Sequence, residues 1–343
     1  MNRLGFCFLD RPSVARQIEL VRKVENLGYE SAWVTETRLA RDAFSVLGAF
    51  AAVTKRVKLA TGIVNTWTRG PALMAMTLAT LDELAPGRIR LGFGVGDSGP
   101  LNLGVPRSSL HDLEAAVVAM RALLRGEETP GASRPLRLNY VQKRDTNPVP
   151  IYVAASGKRT QRLAGRVADA ALISGIPQEL SSAVAQVRAG EQEAGRQAGA
   201  VRILFWNTAC VDPDREAARA AVRGSVARRA MNNFGRALRE GTLPEEDREP
   251  LEKLLEAHQR GYLWDTGYTD LVPERWIDRL ALAGTPEEVR GRIEHALADG
   301  ADEISMILMS SRSAGARGSA DQLTLFSESV IAPIRAAHPS PPE

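Results

Sequence analysis

The sequence predicts a (β/α)8 TIM barrel with insertions, one of them a helical insertion after the seventh strand. Three observations predict this α/β fold. Short apolar segments alternate with helical patterns along most of the 343 residues. Eight of these segments have the length of a strand, and several end abruptly in small or polar residues. Such alternation is typical of parallel sheets covered by helices, and eight repeats close a barrel.

Helix-start and helix-stop residues separate the predicted strands. Ser13 is a suitable N-cap for the first helix, and Gly28 is a suitable stop. Pro71 stands in the first turn of the third helix, and Thr285 begins the capping sequence Thr-Pro-Glu-Glu. The strands are predicted at 4–9, 31–35, 57–63, 89–95, 150–154, 169–173, 202–211 and 303–309. The helices are predicted at 13–27, 42–54, 71–84, 109–124, 158–167, 178–198, 274–283, 285–298 and 320–337.

Two segments are longer than a strand–helix connection needs. Residues 126–147 are rich in Pro, Gly and Arg without a helical pattern, which predicts an irregular insertion. Residues 213–273 are charged and helical to about residue 258 and end in an aromatic loop at 261–273. We therefore predict one barrel domain over residues 1–337 with these two insertions, followed by a disordered, Pro-rich tail at 338–343.

The composition excludes several classes of function. The 44 Lys and Arg residues nearly balance the 41 Asp and Glu residues, and no basic run alternates with aromatic residues, so we expect no nucleic-acid partner. No apolar run approaches the roughly 18 residues that a membrane span needs. The apolar part of the amino terminus is too short for a signal peptide, so we expect a cytoplasmic enzyme with no membrane partner.

The metal-binding and thiol residue types are sparse. Cys7 and Cys210 each lie inside an apolar run, which predicts buried core thiols rather than a disulfide or a nucleophile. The four histidines fall mostly in predicted helices or the tail, so we predict no metal site. No nucleophile elbow occurs either.

Two carboxylates follow predicted strands whose ends a barrel brings to one mouth. Glu36 follows the second strand and Asp97 follows the fourth. Catalytic groups of TIM barrels lie at the carboxyl ends of strands, where a carboxylate can act as an acid, a base or a ligand anchor. The alternative is a salt bridge at the rim to Arg38 or Arg69.

The glycine-rich segment Gly92–Gly96 lies within a strand. It differs from a dinucleotide-binding fingerprint, because no helix begins directly after it and no acidic residue follows at the required distance. Close approach of a ligand ring or of a neighbouring strand explains the glycines better.

The residues after the fifth strand favour an anion. Ala155-Ser156-Gly157-Lys158-Arg159-Thr160 opens a helix, where free N–H groups, a hydroxyl and two cations suit a phosphate. An ordinary N-cap with a solvated basic first turn is the alternative. Ser174 ends the sixth strand at the same predicted rim and is assigned to the same ligand.

Four aromatic residues are candidates for a substrate pocket. Trp206 lies mid-strand, so a role in the packed core explains it equally well. The other candidates are Trp67, Tyr262 and Trp264, and the last two lie in the aromatic loop, where a lid fits better than a core.

Three blocks, at residues 57–97, 150–172 and 282–304, resemble the luciferase-like superfamily. The first block, VKLATGIVNTWTRGPALMAMTLATLDELAPGRIRLGFGVGD, is most similar to the branch that uses the deazaflavin coenzyme F420, which includes methylenetetrahydromethanopterin reductase. The resemblance spreads over about residues 4–309. It implies a barrel with the cofactor at its C-terminal mouth, and it implies a homodimer.

The resemblance also assigns cofactor contacts. It implies a non-prolyl cis peptide at Gly62-Ile63 against the deazaflavin ring, with Asn65 and Thr66 along the cofactor. Gly96 and Asp97 would lie near the ring or its side chain. Ala155, Ser156 and Gly157 would hold the phosphate.

This chain departs from many relatives at two points. Glu36-Thr37 stands where they have Asp-His, so a histidine acid or base is lost, and Glu36 or Asp97 becomes the candidate proton donor. Lys158 stands where they often have proline, which adds a positive charge beside the phosphate.

The leading hypothesis is a deazaflavin-dependent oxidoreductase that moves a hydride between C5 of the cofactor and an organic substrate. It would reduce a C=C, C=N or C=O group or oxidise an alcohol. An FMN-dependent monooxygenase on the same barrel and a non-catalytic ligand-binding barrel are the alternatives. The substrate would be a small molecule or a peptide-like compound. The insertions at 126–147 and 261–273 would define which one.

Overall fold

The protein is represented by a computed structural model of the 343-residue chain. It describes residues 4–9, 12–37, 40–96, 100, 103–131, 133–146, 148–260, 269–311 and 319–337.

Parallel strands form a closed barrel, which confirms the predicted fold class. In the described part of the chain, eight strands pair in the order β1-β2-β3-β4-β5-β6-β7-β9, and β9 returns to β1. A ninth strand, β8, pairs with the last residues of β7. The strands are β1 (Leu4–Phe8), β2 (Ser31–Val34), β3 (Lys58–Thr61), β4 (Ile89–Phe93), β5 (Ile151–Ala154), β6 (Ala170–Ser174), β7 (Arg202–Val211), β8 (Leu282–Gly284) and β9 (Glu303–Leu308).

Helices connect the strands and cover the barrel. They are α1 (Val14–Asn26), α2 (Ala43–Val53), α3 (Pro71–Leu84), α4 (Leu110–Leu124), α5 (Lys158–Val167), α6 (Leu180–Glu193), α7 (Arg215–Arg239), α8 (Glu245–Arg260), α9 (Glu274–Leu280), α10 (Pro286–Ala298), α11 (Ser319–Phe326) and α12 (Ala332–Ala337). Short 3-10 segments precede α6 and α9, and a π-helical segment joins α11 to α12. Among the described residues, no helix is long and apolar enough to cross a membrane.

The predicted caps form as expected. The Ser13 hydroxyl accepts a hydrogen bond from the Arg16 N–H at 3.3 Å. Thr285 and Glu288 form a reciprocal capping box at the start of α10. Both satisfy N–H groups that a helix terminus leaves without an intrahelical partner.

The main core lies between the barrel strands and the helices, whereas a smaller cluster fills the barrel. Trp33, Tyr152 and Trp206 are the largest side chains of the interior cluster. The Trp33 and Trp206 rings meet edge to face with centroids 5.5 Å apart. Cys7 and Cys210 are free and buried, as predicted, and burial raises the pKa of the Cys210 thiol to about 12.

A buried ion pair lies at the amino-terminal end of the barrel interior. The Arg90 guanidinium donates to the Glu303 carboxylate at 2.8 Å, and both side chains are almost fully buried. Ser31 donates its hydroxyl to the same carboxylate at 2.5 Å and accepts the Trp33 indole N–H at 2.7 Å. This network satisfies the charges inside an otherwise apolar barrel.

The helical segment after β7 packs around a second hydrophobic cluster. Most of the buried members of this cluster come from α7, α8 and α9, among them Phe234, Leu254 and Trp276. The fully buried Asp247 accepts the Trp276 indole N–H at 2.6 Å and pairs with Arg279. These contacts attach α8 firmly to α9.

Several predicted element bounds are wrong. The helix predicted at 274–283 ends at Leu280, and Leu282–Gly284 instead forms β8 beside Ala209–Val211. The third strand ends at Thr61 rather than at residue 63. The helix predicted at 178–198 begins as a 3-10 segment and ends at Glu193. No helix or strand occurs in the described part of residues 126–147.

Candidate active site

The candidate site is the rim formed by the carboxyl ends of the barrel strands. Because the strands are parallel, the segments that follow β2 to β7 meet at this one end. Apart from Trp206, the predicted site residues that the structure describes lie on two sides of the rim. One side follows β2, β3 and β4, and the other follows β5 and β6.

A bulge separates the end of β3 from β4. The pairing of Ala60 with Arg90 is followed by a bridge from Val64 to Phe93, so three residues of one strand face two of the other. The Thr61 hydroxyl fills the gap, because it accepts the Gly92 N–H at 2.9 Å and donates to the Gly92 carbonyl at 2.8 Å. Within the bulge, the Gly62-Ile63 peptide is cis, as the resemblance implied.

Side chains and strands pack tightly around this bulge. A methyl group on Gly62 would lie 2.4 Å from the Trp206 ring, and one on Gly92 would lie 2.0 Å from the Thr61 carbonyl oxygen. A methyl group on Gly94 would lie 2.6 Å from the Ile63 side chain. The glycines therefore permit close approach of the neighbouring strand, one of the two explanations that the sequence left open.

Polar residues fold back over the bulge. The buried Asn65 accepts the Trp67 and Thr68 N–H groups with its side-chain oxygen, at 2.9 and 3.3 Å. The Thr66 hydroxyl lies 2.6 Å from that of Ser108. These bonds fix the turn, whereas the Trp67 side chain remains 45% exposed at the rim and can contact a ligand.

Among the described residues, Glu36 has one hydrogen-bond partner, which lies on this side of the rim. Its carboxylate accepts the Thr68 hydroxyl at 2.6 Å. Burial raises the pKa of Glu36 above its ordinary value, the Asp42 charge adds to the rise, and the Thr68 hydrogen bond and the Arg69 charge oppose it. Arg69 itself pairs with Asp42 at 2.8 Å rather than with Glu36. A carboxyl of this kind can retain a proton for transfer.

Trp206 lies below the bulge, inside the barrel. Its side chain is 7% exposed, with its ring against Gly62 on one side and Trp33 on the other. The packed-core alternative of the sequence therefore explains Trp206 better than direct substrate contact.

The β5–β6 side presents hydrogen-bond donors. The register pairs Ala154 with Leu172, which brings the segments beginning at Ala155 and at Ser174 side by side. Ser156 and Lys158 are exposed, and α5 begins after Gly157, which lacks a capping side chain. The first N–H groups of this helix suit an anion.

Helix α7 crosses this side of the rim. Arg229 donates to the Gly175 carbonyl at 2.9 Å and approaches the Ser174 hydroxyl at 3.4 Å. A methyl group on Gly157 would lie 2.7 Å from Nη1 of Arg236, so this guanidinium lies over the start of α5. Burial lowers the pKa of Arg229 to about 10, which leaves it charged at neutral pH.

Some predicted residues cannot be compared, and some observed ones were not predicted. Asp97, Tyr262 and Trp264 lie outside the described residues. Gly96 is described and has φ +83°, and a methyl group there would lie 2.5 Å from the Pro100 ring and 3.3 Å from Cβ of Asn65. Arg229 and Arg236 were missed, because α7 carries many arginines and nothing in their spacing marks those that face the rim.

Residues 3–303 match the family model described as luciferase-like monooxygenase. The chain is 26% identical over 304 residues to 5,10-methylenetetrahydromethanopterin reductase of Methanolobus tindarius, covering 88% of this chain and 92% of that protein. It is 30% identical over 290 residues to F420-dependent glucose-6-phosphate dehydrogenase of Beutenbergia cavernae, covering 78% and 80%.

Solved structures share the fold. The coenzyme F420-dependent tetrahydromethanopterin reductase of Methanopyrus kandleri superposes with a TM-score of 0.82 at 24% identity, covering 96% of this chain and 99% of that one. An F420-dependent secondary alcohol dehydrogenase in complex with an F420-acetone adduct gives 0.73 at 21% identity, with 97% and 99% covered. A monooxygenase from Streptomyces bottropensis gives 0.68 at 20% identity, with 97% and 99% covered.

Proposed function

Because this chain belongs to the luciferase-like monooxygenase family, we propose that it is an oxidoreductase that uses coenzyme F420. The supporting observation is that reductases and F420-dependent dehydrogenases match it along most of both chains. The reaction moves a hydride between C5 of the deazaflavin and an organic substrate. The FMN-dependent monooxygenase stays the alternative, since a monooxygenase shares the fold.

The residues at the rim fit this cofactor. The Ile63 side chain and the backbone around Gly62 and Gly94 offer a small apolar surface for a planar ring. On the opposite side, the start of α5 and the buried cation Arg229 suit the phosphate of its side chain. In this orientation the ring lies on the β3–β4 side, the phosphate lies on the β5–β6 side, and the side chain of the cofactor spans the rim between them.

The cofactor supplies the hydride chemistry when bound. In this proposal, Gly62, Ile63, Asn65 and Thr66 orient its ring on the β3–β4 side. Gly96 borders the ring or its side chain.

The phosphate is held by the residues that follow β5 and by the last residue of β6, as the sequence predicted. These residues are Ala155, Ser156, Gly157, Lys158 and Ser174.

Proton transfer falls to a carboxyl at the rim. Glu36, whose Oε2 accepts the Thr68 hydroxyl, holds a proton on its other carboxyl oxygen and delivers it to the substrate as the hydride is added. Asp97 is the second candidate donor. The substrate carries a C=C, C=N or C=O group, or is an alcohol that is oxidised in the opposite direction.

We expect the purified protein to bind coenzyme F420 more tightly than FMN. Equilibrium titrations of the two cofactors, followed by their absorbance and by calorimetry under one buffer condition, measure this preference. A preference for FMN would contradict the proposal and favour oxygen chemistry. Binding of neither would contradict every cofactor role assigned to the rim.

Turnover is a separate question from binding. A screen of unsaturated, carbonyl and alcohol substrates with the F420-loaded protein tests it. Retained cofactor with no turnover of any of these substrates would favour the non-catalytic ligand-binding alternative.

We also propose that the chain forms a homodimer through α3. Leu73, Met76 and Leu84 are exposed by 44%, 44% and 52%, and their spacing places them on one face of this helix. The Tyr140 hydroxyl lies 3.3 Å from the Met76 carbonyl and adds an aromatic ring to this apolar face. Clustered exposed apolar residues commonly mark a protein–protein contact.

Met76→Glu is expected to shift the protein from dimer to monomer, because the face would bury an unpaired charge. Sedimentation equilibrium of both proteins measures the mass of the particle. Leu103→Glu is the matched control, since Leu103 is 46% exposed but lies outside α3. A monomeric parent protein, or a Met76→Glu variant that remains dimeric, would contradict this interface.

A further inference from the structure

We propose that the helical insertion supplies two arginines, Arg229 and Arg236 of α7, that bind the phosphate of the bound cofactor. We call them the α7 arginine pair. The inference rests on the proposed function and adds a specific role for the insertion. The positive charge at the phosphate then comes mainly from the insertion rather than from the barrel. The exposed Lys158 contributes less to phosphate binding than the α7 arginine pair.

The path of α7 places the pair over two strand ends. The Ser225 hydroxyl lies 2.6 Å from that of Thr208 in β7, Arg229 contacts the residues that end β6, and Arg236 lies against Gly157 after β5. The three α7 residues are four and seven positions apart, so they share one helix face. That face runs along the rim from β7 to β5.

Within the described part of the chain, Arg229 forms no ion pair with a carboxylate. Its side chain is buried, with 9% of its surface exposed, and its Nε lacks an acceptor there. Arg219 of the same helix is also buried, but it pairs with both Glu274 and Asp278. Buried guanidinium groups are normally paired, because an isolated buried charge is costly. An anionic ligand would provide the missing negative charge.

The surrounding groups favour a phosphate. Its oxygens would accept from the planar guanidinium groups, from the first N–H groups of α5 and from the hydroxyls of Ser156 and Ser174. All these groups are donors. Among the described residues at this side of the rim, no carboxylate competes for the pair.

The test is the affinity of each variant for two ligands that differ in the phosphate. Coenzyme F420 carries it, and the 8-hydroxy-5-deazariboflavin chromophore lacks it. We expect Arg236→Met and Arg229→Met each to weaken F420 binding by about tenfold or more, the usual size of a lost charge-assisted hydrogen bond. Binding of the phosphate-free chromophore should change less than twofold in either variant.

Two control variants distinguish the loss of a phosphate contact from a change in the charge of α7 and from a disturbed fold. Arg239→Met removes an exposed cation in the last turn of the same helix and should leave both affinities unchanged. Arg229→Lys keeps the buried charge and should retain part of the F420 affinity. An equal loss for both ligands would overturn the inference in favour of a structural role. Unchanged F420 affinity in both methionine variants would overturn it while the proposed function stands.

Inorganic phosphate separates this inference from the proposed function. If the protein binds neither F420 nor FMN, the proposed function fails, and calorimetric binding of inorganic phosphate decides about the pair. Binding that Arg236→Met abolishes would support the anion site, and absence of binding would overturn it. Phosphate that binds to the F420-saturated protein through the pair would overturn the cofactor assignment in favour of a substrate subsite.

Discussion

Glu36→Gln is expected to lower kcat by about 10²–10⁴-fold, the usual contribution of a general acid, with little change in cofactor affinity. The glutamine keeps the size of the side chain and can accept the Thr68 hydrogen bond, but it cannot deliver a proton. Steady-state kinetics of the F420-loaded protein measures the loss. Glu19→Gln, at an exposed carboxyl on α1, is the control.

Asp97→Asn completes this test, because the sequence offers two carboxylates for one proton. A loss confined to one variant identifies the donor. Full turnover in both variants would remove carboxylate proton transfer from the proposal, and the proton would then come from solvent.

Thr68→Val is expected to move the pH dependence of turnover. The Thr68 hydroxyl stabilises the ionised carboxylate and so lowers the pKa of Glu36, whereas burial raises it. Without the hydroxyl the pKa rises further. In the reductive direction the protonated acid is the active form, so activity falls as pH rises through this pKa, and in the variant that fall should occur at higher pH. A shift to lower pH would contradict the assignment.

Arg90→Met is expected to destabilise the fold by about 3–5 kcal/mol, because it leaves the buried Glu303 carboxylate without its closest cation. Arg202 is 3.8 Å from the same carboxylate and is 45% exposed, so it compensates little. Urea unfolding followed by circular dichroism measures the midpoint. Arg16→Met, which breaks the exposed pair with Glu19, should cost under about 1 kcal/mol.

The double variant Arg90→Met/Glu303→Met tests the reason for this loss. Replacing both members of a buried pair with apolar side chains is often close to neutral. The double variant should therefore unfold at higher urea than Arg90→Met alone. A lower midpoint would mean that packing around the network, rather than the unpaired charge, accounts for the effect.

The barrel could be predicted because its signals are local and repeat along the chain. Apolar runs of strand length, Ser13 and Thr285 as caps, and Pro71 in a first helical turn each mark an element without reference to distant residues. The strand β8 could not be predicted in this way. Its three residues lie between two helical patterns, and its only strand signal is the pairing with β7.

The site was predictable where a residue follows a strand and unpredictable where it comes from a distant helix. Glu36, Asn65 and Ser174 lie at the rim because their strands end there. Arg229 and Arg236 reach the same rim only through the packing of α7, which depends on the insertion core. Side-chain partners such as Thr68 are likewise set by the folded chain.

The pairing of β8 with β7 has a consequence for how the protein can change. The helical insertion leaves the sheet at Val211 and returns at Leu282, and Ala209 stands beside Leu282 in the register. Adjacent strands lie about 4.8 Å apart, so the two ends of the insertion are neighbours. The segment between them can therefore be exchanged as a unit. It can be lengthened, shortened or replaced while the barrel closes in the same register, so new ligand preferences can be acquired there without redesign of the scaffold.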